Sequence, residues 1–155
     1  MKNALFLALA AAIVLPFTAR AQAKPDFTGT WTLDAAKSDA PTGRGGRGGA
    51  QGPITVTQDA NTLTQKRGEQ TLVYKLDGSE SSNEVQGRGG VQTVKSKAKW
   101  EGAKLVIEST REIQGFALTT KEERTLSADG KEMTIQITAS TPQGDINNKQ
   151  VYTKS

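Results

Sequence analysis

The chain has no cysteine and no histidine among its 155 residues. Without cysteine there is no disulfide framework and no thiol nucleophile. Without histidine there is no imidazole acid–base relay, and nearly all zinc, copper and iron sites go with it. Aromatic residues are scarce as well, with two Trp, two Tyr and four Phe. The one long apolar run, Ala4 to Phe17, is 14 residues, short of the roughly 20 needed to cross a bilayer. Nothing after it has a sustained helical period.

What is present begins with an export signal. Lys2 precedes the apolar run, and Thr18-Ala19-Arg20-Ala21-Gln22-Ala23 follows it. Ala21 and Ala23 form the A-x-A pattern of signal peptidase sites, so residues 1–23 are expected to be a signal peptide cleaved after Ala23. No cysteine lies near the cut, so a lipoprotein anchor is excluded, and the expected location is periplasmic or secreted. Removing the first 23 of 155 residues leaves 132, one domain spanning 24–155. Loss of Lys2 and Arg20 lowers the net charge from +4 to +2. That mixed-charge surface gives no electrostatic reason to bind nucleic acid, and after cleavage no membrane span remains.

Within the mature region, residues alternate in polarity, are enriched in Thr, Val and Ile, and meet Gly-containing turns about every 10 to 12 residues, the pattern of an antiparallel meander. Strands are expected at Gly29–Leu33, Ile54–Gln58, Leu63–Arg67, Gln70–Leu76, Val91–Trp100, Lys104–Ile113, Phe116–Leu126, Glu132–Ser140 and Asn147–Lys154. Turns at Ala60-Asn61, Gly68-Glu69, Glu101-Gly102, Gln114-Gly115 and Ser127–Gly130 set the registers. They place Ala98 opposite Leu105, Leu105 opposite Arg124, and Arg124 opposite Met133. The apolar sets then share one face, and a row Lys95–Glu108–Lys121 of alternating charge lies on the other. Lys99 would face Lys104. The expected fold is all-β: an up-and-down meander of eight or nine strands closing into a barrel, which buries the apolar face and removes free edges.

Two segments are rich in glycine and arginine: Gly43-Arg44-Gly45-Gly46-Arg47-Gly48-Gly49, within a loop at 43–52, and Gly87-Arg88-Gly89-Gly90. Neither sits between a strand and a helix or is followed by Lys-Ser/Thr, so neither is a P-loop. They are read as flexible surface loops kept soluble by arginine. The sequence points to no cofactor, no metal and no catalytic residue.

The same register turns several polar residues inward: Gln65, Arg67, Ser109, Arg111, Glu122 and Arg124, beside Tyr74 and Trp100. Inward charges need partners, water or a ligand. Glu122 has no second inward carboxylate beside it, so the two-acid arrangement of a glycosidase is missing. Arg67, Tyr74, Trp100, Arg111, Glu122 and Arg124 are therefore the candidate ligand-binding residues. On the face that carries Leu105, Ile107, Leu118, Met133 and Ile135, Arg111 and Arg124 stand against the single acid Glu122, which favours an amphipathic ligand with an anionic head.

Asp26-Phe27-Thr28-Gly29-Thr30-Trp31-Thr32-Leu33-Asp34, followed by Ala35-Ala36-Lys37-Ser38, resembles the opening of lipocalin-like secreted bacterial proteins. Gly29-Thr30-Trp31 is similar to the first-strand motif of lipocalins and fatty-acid-binding proteins. The resemblance implies a barrel whose floor is closed by Trp31, with a late-strand cation packed across it. Arg124 is the first candidate for that role and Lys154 the second. It also implies an interior site for a small apolar or amphipathic ligand. The Thr-Asp-Tyr motif of true lipocalins is missing, and Val151-Tyr152-Thr153-Lys154 stands where fatty-acid-binding proteins carry Arg-x-Tyr. Two functions stay open: an exported non-enzymatic carrier with a ligand in the barrel, or an exported interaction module with a packed interior acting through its surface.

Overall fold

The computed structural model describes residues 23–40, 52–87, 90–113 and 115–155, which form ten antiparallel strands. In chain order they are β1 (Gly29–Leu33), β2 (Ile54–Gln58), β3 (Thr62–Arg67), β4 (Gln70–Lys75), β5 (Glu80–Gly87), β6 (Gly90–Glu101), β7 (Lys104–Ile113), β8 (Phe116–Leu126), β9 (Glu132–Thr141) and β10 (Gly144–Lys154). The sheet order is β4-β3-β2-β1-β10-β9-β8-β7-β6-β5. Every neighbour is sequential except β1 with β10, which pair through Trp31↔Lys154 and Leu33↔Tyr152. The result is a meander curled into a nearly closed barrel. Residues 1–22 of the signal segment and the loop around Gly43–Gly49 lie outside the described residues, as do Arg88 and Gly89.

The two outermost strands, β4 and β5, share no backbone ladder. Side chains stitch them instead. Asn83 Oδ1 accepts the Val73 N–H at 2.8 Å while its Nδ2 donates to the Val73 carbonyl at 2.9 Å. Ser81 Oγ accepts the Lys75 N–H at 2.9 Å. A side-chain amide has one donor face and one acceptor face, so it can replace a peptide group here.

β5 is the strand the sequence pattern does not announce. Its Glu-Ser-Ser-Asn-Glu-Val-Gln-Gly contains one apolar residue, Val85, and its inward positions include Ser81 and Asn83, both buried. Two registers also differ from expectation, each by two residues. The β6–β7 turn is Gly102-Ala103, so Ala98 faces Ile107 and Trp100 faces Leu105. The β8–β9 loop runs from Ser127 to Lys131, so Arg124 faces Ile135 and Glu122 faces Ile137. A slip of two preserves the face, because side chains alternate with period two. On the outer face, however, Lys97, and not Lys95, stands opposite Glu108, with Lys121 beyond it. Lys99 faces Val106, which removes the repulsion with Lys104. Lys104 and Lys121 instead both reach Glu123, at 2.7 and 2.8 Å, and their ammonium groups hold its carboxyl down to about 2. The turns at Ala60-Asn61, Gly68-Glu69 and Gln114-Gly115 give the expected partners.

Trp31 sits at the barrel floor with no exposure, among Phe27, Ile54, Val56, Leu105 and Met133. Its indole Nε1 donates to the Phe27 carbonyl at 2.9 Å. The segment before β1 is fixed by Gln58, which donates to the Pro25 carbonyl and accepts the Phe27 N–H. The cation across Trp31 is Lys154, with Nζ 5.3 Å from the ring centroid. Arg124 lies over Tyr74, 5.5 Å from that ring. The first-choice assignment of Arg124 to Trp31 is thus corrected: the strand pairing puts Lys154 directly opposite Trp31. Gly29 is required by its backbone, since φ of 146° there is strained for any other residue; the 2.5 Å approach of a Cβ to Lys154 Cε could be relieved by a shift of that flexible side chain.

Candidate functional site

Along each strand of the inner face the side chains change from apolar to polar in step. β7 runs Leu105, Ile107, Ser109, Arg111; β6 runs Ala98, Ser96; β8 runs Arg124, Glu122, Thr120. The lower levels pack solid. Above them, where the residues are too short or too polar to fill the space, lies a cavity of about 290 Å³. Tyr74 and Glu122 border the packed level, Leu72, Val85 and Val94 supply apolar wall, and Arg111 stands at the open end. Ser96 and Ser109 face each other across β6 and β7 with their hydroxyls 2.9 Å apart.

The buried cation is already committed. Arg124 is 1% exposed. It donates from Nε and Nη2 to Glu122 Oε2 at 3.2 and 2.7 Å, and from Nη1 to Gln65 Oε1 at 2.9 Å. With the Tyr74 ring on one face, this guanidinium is part of the packed level and does not line the cavity. Glu122 is different. Both bonds from Arg124 use Oε2, and Oε1 takes no hydrogen bond from any described residue. It is a charged acceptor at the bottom of the cavity, ready for a ligand hydroxyl or other donor.

Arg111 is exposed, and its side chain makes no hydrogen bond or ion pair with any described residue. Arg67 donates from Nη2 to Tyr152 Oη at 3.0 Å, and that hydroxyl donates to Gln150 at 2.9 Å, to one side of the cavity. Trp100 is at the opposite end. It stacks on Phe27 with centroids 6.1 Å apart, lies under Lys24, and its buried Nε1 has no hydrogen bond to any described residue. Of the six candidates, Tyr74, Glu122 and Arg111 are brought together around the cavity; Arg124 supports them from below; Arg67 and Trp100 stand apart. Sequence reasoning did not single out Asn83 and Thr120, which also line it. Thr120 was legible, since it lies opposite Ser109 in the expected β7–β8 register. Asn83 was not, because its strand was missed.

Burial, helped by the Glu122 charge, pushes the Tyr74 phenol up to about 12, although Arg124 opposes this. A phenol that holds its proton more tightly folded than unfolded stabilises the fold fully below its unfolded value near 10 and loses that contribution as the pH climbs through about 12. Wild type should therefore lose up to about 2–3 kcal/mol over that range relative to Tyr74→Phe. Urea unfolding of both proteins at pH 9 and pH 11.5 measures the difference; parallel pH profiles would contradict it.

Among solved structures, the chain is similar to zebrafish ileal bile acid-binding protein crystallised with cholic acid. The TM-score is 0.55 at 19% identity, over 83% of this chain and 98% of that one. The likeness is one of fold. No family profile matches the sequence, and no curated protein matches it. Ten strands in a nearly closed lipocalin-type barrel are thus supported by the topology and by this neighbour.

Proposed function

We propose that this chain is an exported, non-enzymatic carrier whose barrel cavity holds a small amphipathic ligand. The anionic end would lie on Arg111 and a hydroxyl would donate to Glu122. The observation that carries this reading is the cavity itself. A space of about 290 Å³ above a packed apolar level is near the lower size of small-molecule pockets and has their mixed lining. It also offers the Arg111 guanidinium at its open end and, at its bottom, the one oxygen of Glu122 that Arg124 leaves open. The fold neighbour carrying cholic acid supports the ligand class, since that molecule joins hydroxyl groups to a carboxylate. Glu122 is the sole acid among the described residues that line the cavity, which favours binding over two-carboxylate hydrolysis.

The test is titration of the mature protein, beginning at Lys24 and isolated from the envelope or medium, with a fluorescent fatty acid and with cholic acid. Saturable binding is expected. Arg111→Ala should weaken both ligands about tenfold, the size of a lost charge-assisted contact. Glu122→Gln should weaken the hydroxylated ligand alone. No saturable binding of either by folded protein would overturn the carrier.

The second reading, a surface interaction module, draws on three exposed apolar residues at hairpin ends of the open rim: Val91 at 63%, Phe116 at 66% and Ile146 at 42%. It would then be the one to pursue.

A further inference from the structure

The wall of the barrel has a second break besides the β4–β5 seam. The β6–β7 ladder ends at Val94↔Arg111, yet β6 continues to Gly90 and β7 to Ile113. In the continuing register Thr93 would face Glu112, and they do not pair. On the next side of β7 the ladder is complete, down to Ile113↔Phe116. The loss of pairing is therefore local to one side of β7 and opens a slot in the wall.

Outside this slot lies a groove of about 420 Å³, bordered by Thr93, Lys95, Thr110, Arg111, Glu112 and Ala117. Arg111 borders both this outer groove and the inner cavity. Among the described residues, the groove holds two cations, Lys95 and Arg111, against one acid, Glu112. Lys95 has one ion-pair partner, Glu80, at 3.4 Å on the exposed surface, an interaction of little strength that a ligand anion can displace.

We propose that the β6–β7 slot is a side entrance to the barrel, in which the anionic head of the ligand rests on Arg111 and Lys95 while its tail occupies the inner cavity. This rests on the carrier reading and adds to it a route and a second head-group residue, Lys95. Each half of the argument has its own physical basis. Missing ladder bonds lower the local cost of parting β6 from β7. A paired cation site at the wall lets a charged head stay hydrated while the apolar tail is buried, which spares the carboxylate its desolvation cost.

The test joins the two edges of the slot. Because the chain has no cysteine, the double variant Thr93→Cys/Glu112→Cys offers one possible disulfide, which can be closed by oxidation and reopened by reductant. With a fluorescent C16 fatty acid as probe, stopped-flow association and dissociation should both slow about tenfold in the oxidised protein, as when release must wait for a closed wall. The reduced form of the same variant is the reference for the crosslink, because it carries the same two substitutions, and it should exchange the probe about tenfold faster than the oxidised form. Unchanged rates across a disulfide confirmed by mass spectrometry would overturn the entrance. Lys95→Glu gives an independent check that needs no crosslink. It should weaken the fatty acid roughly fivefold, as for an exposed ion pair, and leave the matching fatty alcohol unaffected. Equal affinity of the variant and wild type for the acid would overturn the role of Lys95. If wild type binds neither probe, the carrier and the entrance fall together. If wild type binds and the crosslink changes nothing, the entrance falls alone.

Discussion

Arg124→Ala is expected to cost about 3–5 kcal/mol, the range for removing one partner of a buried ion pair. The loss has three parts that the geometry makes explicit. Glu122 keeps its charge without the two donors on Oε2, Gln65 loses the donor to its Oε1, and the Tyr74 ring loses the plane stacked against it. The compensating variant separates charge from packing. In Glu122→Gln/Arg124→Met no isolated carboxylate remains and the side-chain volume is largely kept, so most of the loss should be recovered. Urea unfolding of wild type, the single variant and the double variant measures all three. A single variant within about 1 kcal/mol of wild type would mean that water replaces the guanidinium at no cost, which its complete burial argues against.

Trp31→Ala should cost a comparable 3–5 kcal/mol, as for other large buried aromatics truncated to alanine. Trp31 is wholly enclosed, and its removal also strands the Phe27 carbonyl and leaves the Lys154 stem over an empty floor. Trp31→Phe keeps most of the apolar volume and loses the indole hydrogen bond, so it should fall between the two. Equilibrium unfolding gives the order. A loss below about 1 kcal/mol for the alanine variant would show that the floor is closed by its neighbours alone.

How far these sites were legible before the fold was known depends on what each residue does. Trp31 could be read because Gly29 and Trp31 lie two apart, on one face, ahead of a meander. The structure adds the reason for the glycine, a positive φ at Gly29, and sets Lys154 over Trp31 beside it. The inward placement of Glu122 and Arg124 could be read because a register error of two residues leaves faces intact, so even the misplaced turns at Glu101-Gly102 and Ser127–Gly130 delivered the right side. What such errors do corrupt is the identity of cross-strand partners, as with Lys95 and Lys97 opposite Glu108. Depth along a strand was also invisible. Nothing in the residue order of Thr120, Glu122 and Arg124 tells which one is sealed in the packed level and which borders open space. β5 escaped for a different reason. Its buried positions bond to backbone across a seam, so polar residues occupy places where apolar ones are sought.

That seam also bears on how the chain could be re-spliced. The sheet begins at β4 and ends at β5, although these two are neighbours in sequence, while the chain's first and last strands meet in the middle of it. Ser155 even donates its N–H to the Thr30 carbonyl at 2.9 Å. Cutting the connection at Gly78-Ser79 and joining the old ends would give a circular permutant whose strands follow one another across the whole sheet in unbroken order, every backbone ladder joining strands consecutive in the chain and only the side-chain seam between β4 and β5 joining its two ends. Native topology places the closing of β1 on β10 late, since the whole chain must first be gathered. In the permutant that ladder becomes a hairpin-like local one, and the long-range step passes to the β4–β5 seam, so the last event of folding would be the closing of side-chain bonds and not of a backbone ladder.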